Sequence, residues 1–157
     1  MVVLVEVQDP GNVGTIVRSA EAFGATGLAA TRGTANPFSP KALRASAGSA
    51  LRLPVLAGAS APVLLTQLRA SGVRIFAASS ERGAAPHESN LRAAAALLIG
   101  NEGGGLPPEV ERSADARIRI PVAAPVESLN AAVAASVLLY EAARQRGGEL
   151  PRAEGGK

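Results

Sequence analysis

Five polar side chains at three separate junctions of this chain, Asn12, Arg18, Glu102, Ser128 and Asn130, are of types that could do chemistry together. Glu102 stands alone in the run Leu97-Leu98-Ile99-Gly100-Asn101-Glu102-Gly103-Gly104-Gly105-Leu106, where an apolar stretch fit for a buried parallel strand turns abruptly into glycine. Open α/β sheets build ligand crevices in this way, at the carboxyl end of a strand. Glycines in such a loop let the backbone approach a ligand closely. No Gly-Lys-Ser/Thr follows and a carboxylate repels phosphate, so the loop suits a polar ligand less anionic than a nucleotide. Arg18 belongs to Asp9-Pro10-Gly11-Asn12-Val13-Gly14-Thr15-Ile16-Val17-Arg18-Ser19-Ala20, a turn opening directly into a helix that Asn12 is expected to cap. Its neighbours Ile16, Val17 and Ala20 are apolar, which leaves the guanidinium at the margin of buried surface. One role open to it there is a surface ion pair with Glu21 or Glu102. Ser128 and Asn130 bracket Leu129 in Glu127-Ser128-Leu129-Asn130-Ala131-Ala132-Val133-Ala134, a loop entering a last helix, with Ser128 as its natural cap. Asn130 faces away from the stripe of Leu129, Ala132, Val133 and Val137.

These junctions need strands and helices to hold them. Residues 2–7 form a β-branched run broken by Glu6 and read as a first strand. Val13, Ile16, Val17, Ala20 and Phe23 then line one helical face, and Gly24 ends that helix. A second strand covers 27–31. Ser39-Pro40 opens a helix to about Ala50. A third strand covers 53–56, with Pro54 at its start or near a sheet edge. Helix follows at 60–70, strand at 73–78, and a polar loop at 79–90 near the ligand site. Strand 95–99, a short helix 107–113, strand 116–120 and a long helix 128–146 complete the order. Strands alternating with helices specify a parallel α/β sheet of six strands covered on both faces. By pattern alone such a sheet is Rossmann-like.

Composition excludes several classes. At 157 residues the chain makes one domain, 1–148, with a frayed tail at 149–157. There is no cysteine, so no disulfide framework or thiolate metal site, and the single His87 has no companions at ligand spacing. No metal is expected. No apolar run approaches the ~20 residues of a membrane span, and no basic region precedes an apolar one at the start. A cytoplasmic protein is the default. The net charge of +3 and pI near 10.2 suit a polyanionic partner. Aromatics are 3% of residues, which argues against stacking platforms and for phosphate contacts and shape.

Taken together and in this order, the three junctions resemble the motifs of the SpoU-type (TrmH-like) RNA ribose 2′-O-methyltransferases of the SPOUT superfamily, from about Val3 to Arg146. The resemblance implies a fold with a C-terminal deep trefoil knot, the last helix threaded through an earlier loop. Chains rarely thread, and only the family match supports it here. It implies S-adenosylmethionine as cofactor, held by Gly100, Asn101, Gly103, Ile120, Pro121, Ser128 and Leu129, with Ala78 and Ser79 lining the same pocket. It implies structured RNA, ribosomal or transfer, as substrate and a homodimer through the first and last helices. Val133, Val137, Leu138, Leu139 and Tyr140 would supply the dimer's apolar surface. Asn12, Arg18, Glu102, Ser128 and Asn130 become the catalytic set. Arg18 would grip a phosphate and stabilise the alkoxide developing at the ribose hydroxyl. Its pKa above ~12 makes it a poor proton acceptor, so the proton leaves through water or phosphate. Glu102 would orient Arg18 or close over the cofactor. Arg18, Lys41 and Arg44 would contact RNA, Arg44 within the family-like Arg44-Ala45-Ser46-Ala47-Gly48, with Arg32 and Arg52 extending the strip.

Two other classes compete. A Rossmann nucleotide-binding enzyme needs Gly-x-Gly-x-x-Gly after the first strand, and Asp9-Pro10-Gly11-Asn12-Val13-Gly14 lacks that spacing. A catalytically silent RNA-binding module remains, against which the intact polar set argues. Many members of the resembled family carry an N-terminal RNA-recognition domain, and this chain starts at its first strand.

Overall fold

Two short buried strands, β1 (Val2–Leu4) and β5 (Ala95–Ile99), lie side by side at the centre of a six-stranded sheet. The computed structural model describes residues 1–147, so the expected tail at 149–157 lies outside the described residues. Next to β1 come β2 (Leu28–Thr31) and then β3 (Val55–Ala59) at one edge. Next to β5 come β4 (Arg74–Ala78) and then β6 (Ala116–Ile118) at the other. Every pairing is parallel and the order is β3-β2-β1-β5-β4-β6. The Rossmann order is 3-2-1-4-5-6, so the two strands after β1 are exchanged and the dinucleotide-binding topology is absent.

Alternation along the strands divides the core into two layers. Val2, Leu4, Leu97 and Ile99 point to one face and pack against α1 (Pro10–Ala22) and α5 (Ala131–Gln145). Val3, Ala96 and Leu98 point to the other, against α3 (Ala61–Ala70) and α4 (Pro108–Arg112). α2 (Pro40–Ser46) lies outside the sheet against α1, and Gly14 permits that approach. A Cβ at Gly14 would strike the Ala42 carbonyl oxygen and come within 2.6 Å of the Ala45 methyl.

Several element ends differ from the expected ones for visible reasons. β1 stops at Leu4, because Glu6 adopts a left-handed φ of 56°. α1 is capped by Asp9, whose carboxylate accepts from the Gly11 and Asn12 amides, and not by Asn12. Its far end is as expected: Gly24 at φ 69° closes a Schellman turn, with Ala25 N donating to Ala20 O and Gly24 N to Glu21 O. α2 begins at Ser39-Pro40 as expected but ends at Ser46, where Ala47 and Gly48 both turn left-handed and a 3-10 turn, Ser49–Leu51, follows. That turn takes up the Leu53 amide, and Pro54 has none, so β3 starts two residues later than expected, at the sheet edge. β6 ends at Ile118, after which Arg119 N donates to Ala84 O in the preceding loop. α5 starts at Ala131, because Asn130 and not Ser128 is its cap.

Since all strands run one way, the segments after β1, β4, β5 and β6 emerge on a single edge of the sheet. That edge carries the three motifs.

Candidate functional site

The first and second motifs are clasped together by Glu102. Its carboxylate accepts from the Asn12 side-chain amide at 2.9 Å and from the Gln8 and Asp9 backbone amides at 3.3 and 3.4 Å. Burial works to raise its pKa, but the Asn12 hydrogen bond and the surrounding backbone amides outweigh it and hold the carboxyl below its ordinary value. Asn12 Oδ1 in turn accepts from the Asn130 side chain at 3.1 Å, which ties in the third motif. Asn130 Oδ1 meanwhile accepts from the Ala132 and Val133 amides and so caps α5. One relay, Glu102–Asn12–Asn130, thus joins residues 90 and 118 positions apart in sequence.

Asn101 performs a second tie. Its amide nitrogen donates to Glu6 O at 2.9 Å, and its oxygen accepts from the Gly103 and Gly104 amides. The loop closes on itself through Asn101 N to Gly105 O, 2.8 Å, and Gly105 N to Asn101 O, 3.0 Å. Gly100 lies under that closure, where a side chain would collide with the Gly105 and Leu106 backbone.

Beside the relay lies a cavity of about 310 Å³, within the range of about 300–1,000 Å³ usual for small-molecule sites. Its walls bring together Ala78 and Ser79 at the end of β4, Gly100, Asn101 and Gly103 after β5, and Ile120, Ser128 and Leu129 after β6. Pro121 is exposed and stands outside the wall. Four carboxylates reach the lining, Glu81, Glu102, Glu111 and Glu127, of which Glu111 is ion-paired with Arg117 at 2.7 Å. Among the described residues no lysine or arginine contributes. Such a lining opposes a pyrophosphate and favours a ligand with a cationic centre. S-adenosylmethionine, with its sulfonium and ammonium, fits that charge, and the glycine loop and Ile120 offer main-chain groups and apolar surface for a neutral base. Sequence reasoning missed Glu81, Glu127 and Leu138. Glu127 directly precedes Ser128 and was a recognisable signal; Leu138 enters only because α5 folds back over β5.

The basic residues expected to face RNA are exposed, and two of them, Lys41 and Arg52, are ion-paired. Arg18 is exposed on α1, outside the cavity wall, and its guanidinium forms no ion pair among the described residues. Neither anticipated partner meets it: Glu102 holds Asn12, and Glu21 takes a bidentate grip on Arg52 at 2.6 and 2.8 Å. That grip holds the Glu21 carboxyl down at about 2. Lys41 is engaged by the capping Asp9 at 2.6 Å, and this hydrogen bond leads the causes that lower the Asp9 pKa. Arg44, in the last turn of α2, and Arg32, after β2, are exposed. Among the described residues no group of three or more His, Asp or Glu is arranged to hold a metal, and no helix is long and apolar enough to cross a membrane.

The model of the SpoU rRNA Methylase family matches residues 1–140. The 23S rRNA (guanosine(2553)-2′-O)-methyltransferase RlmP of Bacillus subtilis is 37% identical over 134 residues, 85% of this chain and 54% of that protein. The SpoU methyltransferase AviRb from Streptomyces viridochromogenes, solved in complex with the cofactor AdoMet, superposes with a TM-score of 0.86 at 36% identity, covering 92% of this chain and 57% of that one. A structure reported for the 2-OH methylation of C/U34 on tRNA gives 0.84 at 36% identity, covering 94% of this chain and 96% of that one. The chain spans about half the length of the curated relatives it matches. With three motifs converging on one sheet edge and a family match over nearly all the described residues, the chain belongs to the SpoU rRNA Methylase family.

Proposed function

We propose that this chain is the catalytic domain, residues 1–148, of an S-adenosylmethionine-dependent methyltransferase acting on a ribose 2′-hydroxyl of ribosomal or transfer RNA. The observation that carries the reading is the relay Glu102–Asn12–Asn130 set against a glycine-walled cavity lined, among the described residues, by carboxylates and no cation. The AdoMet-bound AviRb structure and the 2′-O-methyltransferase RlmP support the same chemistry. S-adenosylmethionine, when bound, supplies the electrophilic methyl group. The chain's own residues do the rest. Glu81 and Glu127, in the cavity wall, would set a negative potential suited to a cationic group. Asn101 and Glu102 hold the loop against the first motif, Asn130 fixes the entry of α5, and Ser128 stands in the cavity wall. Arg18 grips the RNA phosphate and stabilises charge developing on the hydroxyl, while the proton departs through water or phosphate.

Arg18 lies outside its own cavity, which supports a site completed across a homodimer. On α5, Val133, Val137 and Tyr140 form an exposed apolar stripe at helical spacing, 49%, 38% and 56% accessible. Leu138 and Leu139, also expected at that surface, are buried in the core instead. α1 lies against α5 through a Ser19–Ser136 hydrogen bond of 2.7 Å, so a partner docked on the stripe would meet Arg18 as well. The last helix ends under the segment joining β4 to β5: Gln145 donates to Pro86 O and Ser89 O, and Arg146 to Leu91 O and Ala93 O. That wiring supports the trefoil knot, with α5 passed through this segment. Calorimetry with S-adenosylmethionine and with nicotinamide dinucleotides tests the cofactor assignment. Saturable binding of the first alone is expected; binding of the dinucleotides alone would replace this reading with a nucleotide enzyme.

A further inference from the structure

A second, shallower groove of about 440 Å³ opens at the carboxyl ends of β2 and β3, on the same sheet edge as the acid-lined cavity. Its electrostatics are the reverse. Among the described residues Arg32 is the one charged residue of its lining, exposed and without an ion-pair partner, and the nearest carboxylate, Glu6, flanks the groove behind Gly33. Thr34 and Asn36 add polar groups, and Gly58, at φ 74°, leaves open space where a side chain would stand. Phe38, one residue past the groove-lining Pro37, is 41% exposed in a chain with three phenylalanines. Its amide is fixed by Asn36 Oδ1 at 2.9 Å.

The groove is mechanically joined to the relay. Thr34 Oγ1 donates to Leu4 O at 3.1 Å and Ala35 N to Val7 O at 2.8 Å. Glu102 holds the amides of the next two residues, Gln8 and Asp9. One stretch of backbone therefore serves the groove on one side and the relay on the other.

We propose that this groove seats the RNA nucleotide adjoining the methylated ribose, its phosphate on Arg32 and its base stacked on Phe38. The inference rests on the RNA-methylating reading above. An RNA strand carries a charge at every phosphate and is repelled by the carboxylates of the first cavity, so only the target hydroxyl approaches there. The backbone must run over a neighbouring surface of opposite sign, and Arg32 marks it. Base stacking on an aromatic ring is tolerant of sequence, which suits a flanking nucleotide.

The test is binding of a fluorescein-labelled single-stranded RNA oligonucleotide of mixed sequence, followed by anisotropy, with S-adenosylmethionine affinity measured in parallel by calorimetry. Arg32→Gln and Phe38→Ala are each expected to weaken RNA binding about 10-fold. Arg32→Gln should also lower the slope of log affinity against log salt by about one. Ala57→Asp, which puts a carboxylate on the groove's exposed strand, should weaken binding at least as much. Arg92→Gln, an exposed cation just before β5, at the amino-terminal end of the strands and away from the groove, should change it less than twofold. Cofactor affinity should be unchanged in all four, which shows that they are folded. Wild-type RNA affinity in Arg32→Gln or Phe38→Ala overturns the groove. A wild-type protein that binds cofactor and no RNA overturns the RNA reading itself, and the groove with it.

Discussion

Gly100→Ala should disable the cofactor cavity through a clash that can be read from the backbone. A Cβ at this position would press on the Gly105 carbonyl carbon and oxygen and lie 2.5 Å from Leu106 N. These are main-chain atoms and cannot swing aside, so the loop closure must open. Overpacking of this kind costs about 1–3 kcal/mol. Losing the two hydrogen bonds between Asn101 and Gly105 adds about 0.5–1.5 kcal/mol each. A total of about 2–6 kcal/mol corresponds to a fall in Tm of roughly 4–24 °C for a domain of this size. Because the displaced loop is a cavity wall, S-adenosylmethionine affinity should fall at least 10-fold. Gly104→Ala is the internal control, since its Cβ would meet nothing within 4 Å. Thermal melting and calorimetry on both variants check the reasoning. A Gly100→Ala protein that melts and binds like the wild type would refute it, as would equal damage from Gly104→Ala.

Three further outcomes are expected. Glu102→Gln keeps an acceptor for Asn12 but turns an N–H toward the Gln8 amide; at this exposed position the cost is about 1 kcal/mol. The Glu102 pKa is depressed in the folded state, so the clasp's stabilisation is present above the ordinary 4.5 and lost as pH falls through the lower folded value. The melting gap between wild type and Glu102→Gln should therefore be constant near neutrality and close in acid; a gap unchanged at pH 3 contradicts the clasp. Arg18→Ala should lower single-turnover methylation of RNA by about 100-fold while cofactor affinity holds, and lysine should restore little of it, because a point charge lacks the planar fork. Normal turnover, or loss of cofactor binding, would show that Arg18 is misassigned. Val137→Asp places a charge in the exposed α5 stripe and should convert a dimer to monomer by light scattering; a wild-type monomer at micromolar concentration removes the interface.

The elements could be read from the sequence where local chemistry decides them. Strand β5 matches its expected bounds because an unbroken apolar run bordered by Gly100 has one good conformation. Gly24 and Ser39-Pro40 mark helix ends by backbone rules that tertiary structure did not override. The misassigned caps at Asn12 and Ser128 share a cause. Each motif holds two residues able to cap, and which one does so depends on partners about a hundred residues away. Asp9 caps α1, leaving Asn12 free for Glu102, and Asn130 both caps α5 and reaches Asn12. Long-range relays of this kind leave no local periodicity. The strand exchange relative to a Rossmann sheet was equally hidden, since alternation of strands and helices is the same in both orders. The low aromatic content argued against stacking on average, yet one exposed ring, Phe38, next in sequence to the groove-lining Pro37, is enough for a single nucleotide.

Transfer of an isotope-labelled methyl group from S-adenosylmethionine to undermethylated ribosomal and transfer RNA, followed by nuclease digestion and identification of the labelled nucleoside, tests the central claim most directly. Label on a ribose 2′-oxygen, lost when Asn12, Arg18 or Glu102 is replaced, is the expected result. Label confined to a base, or none from a protein that demonstrably binds both cofactor and RNA, would contradict it.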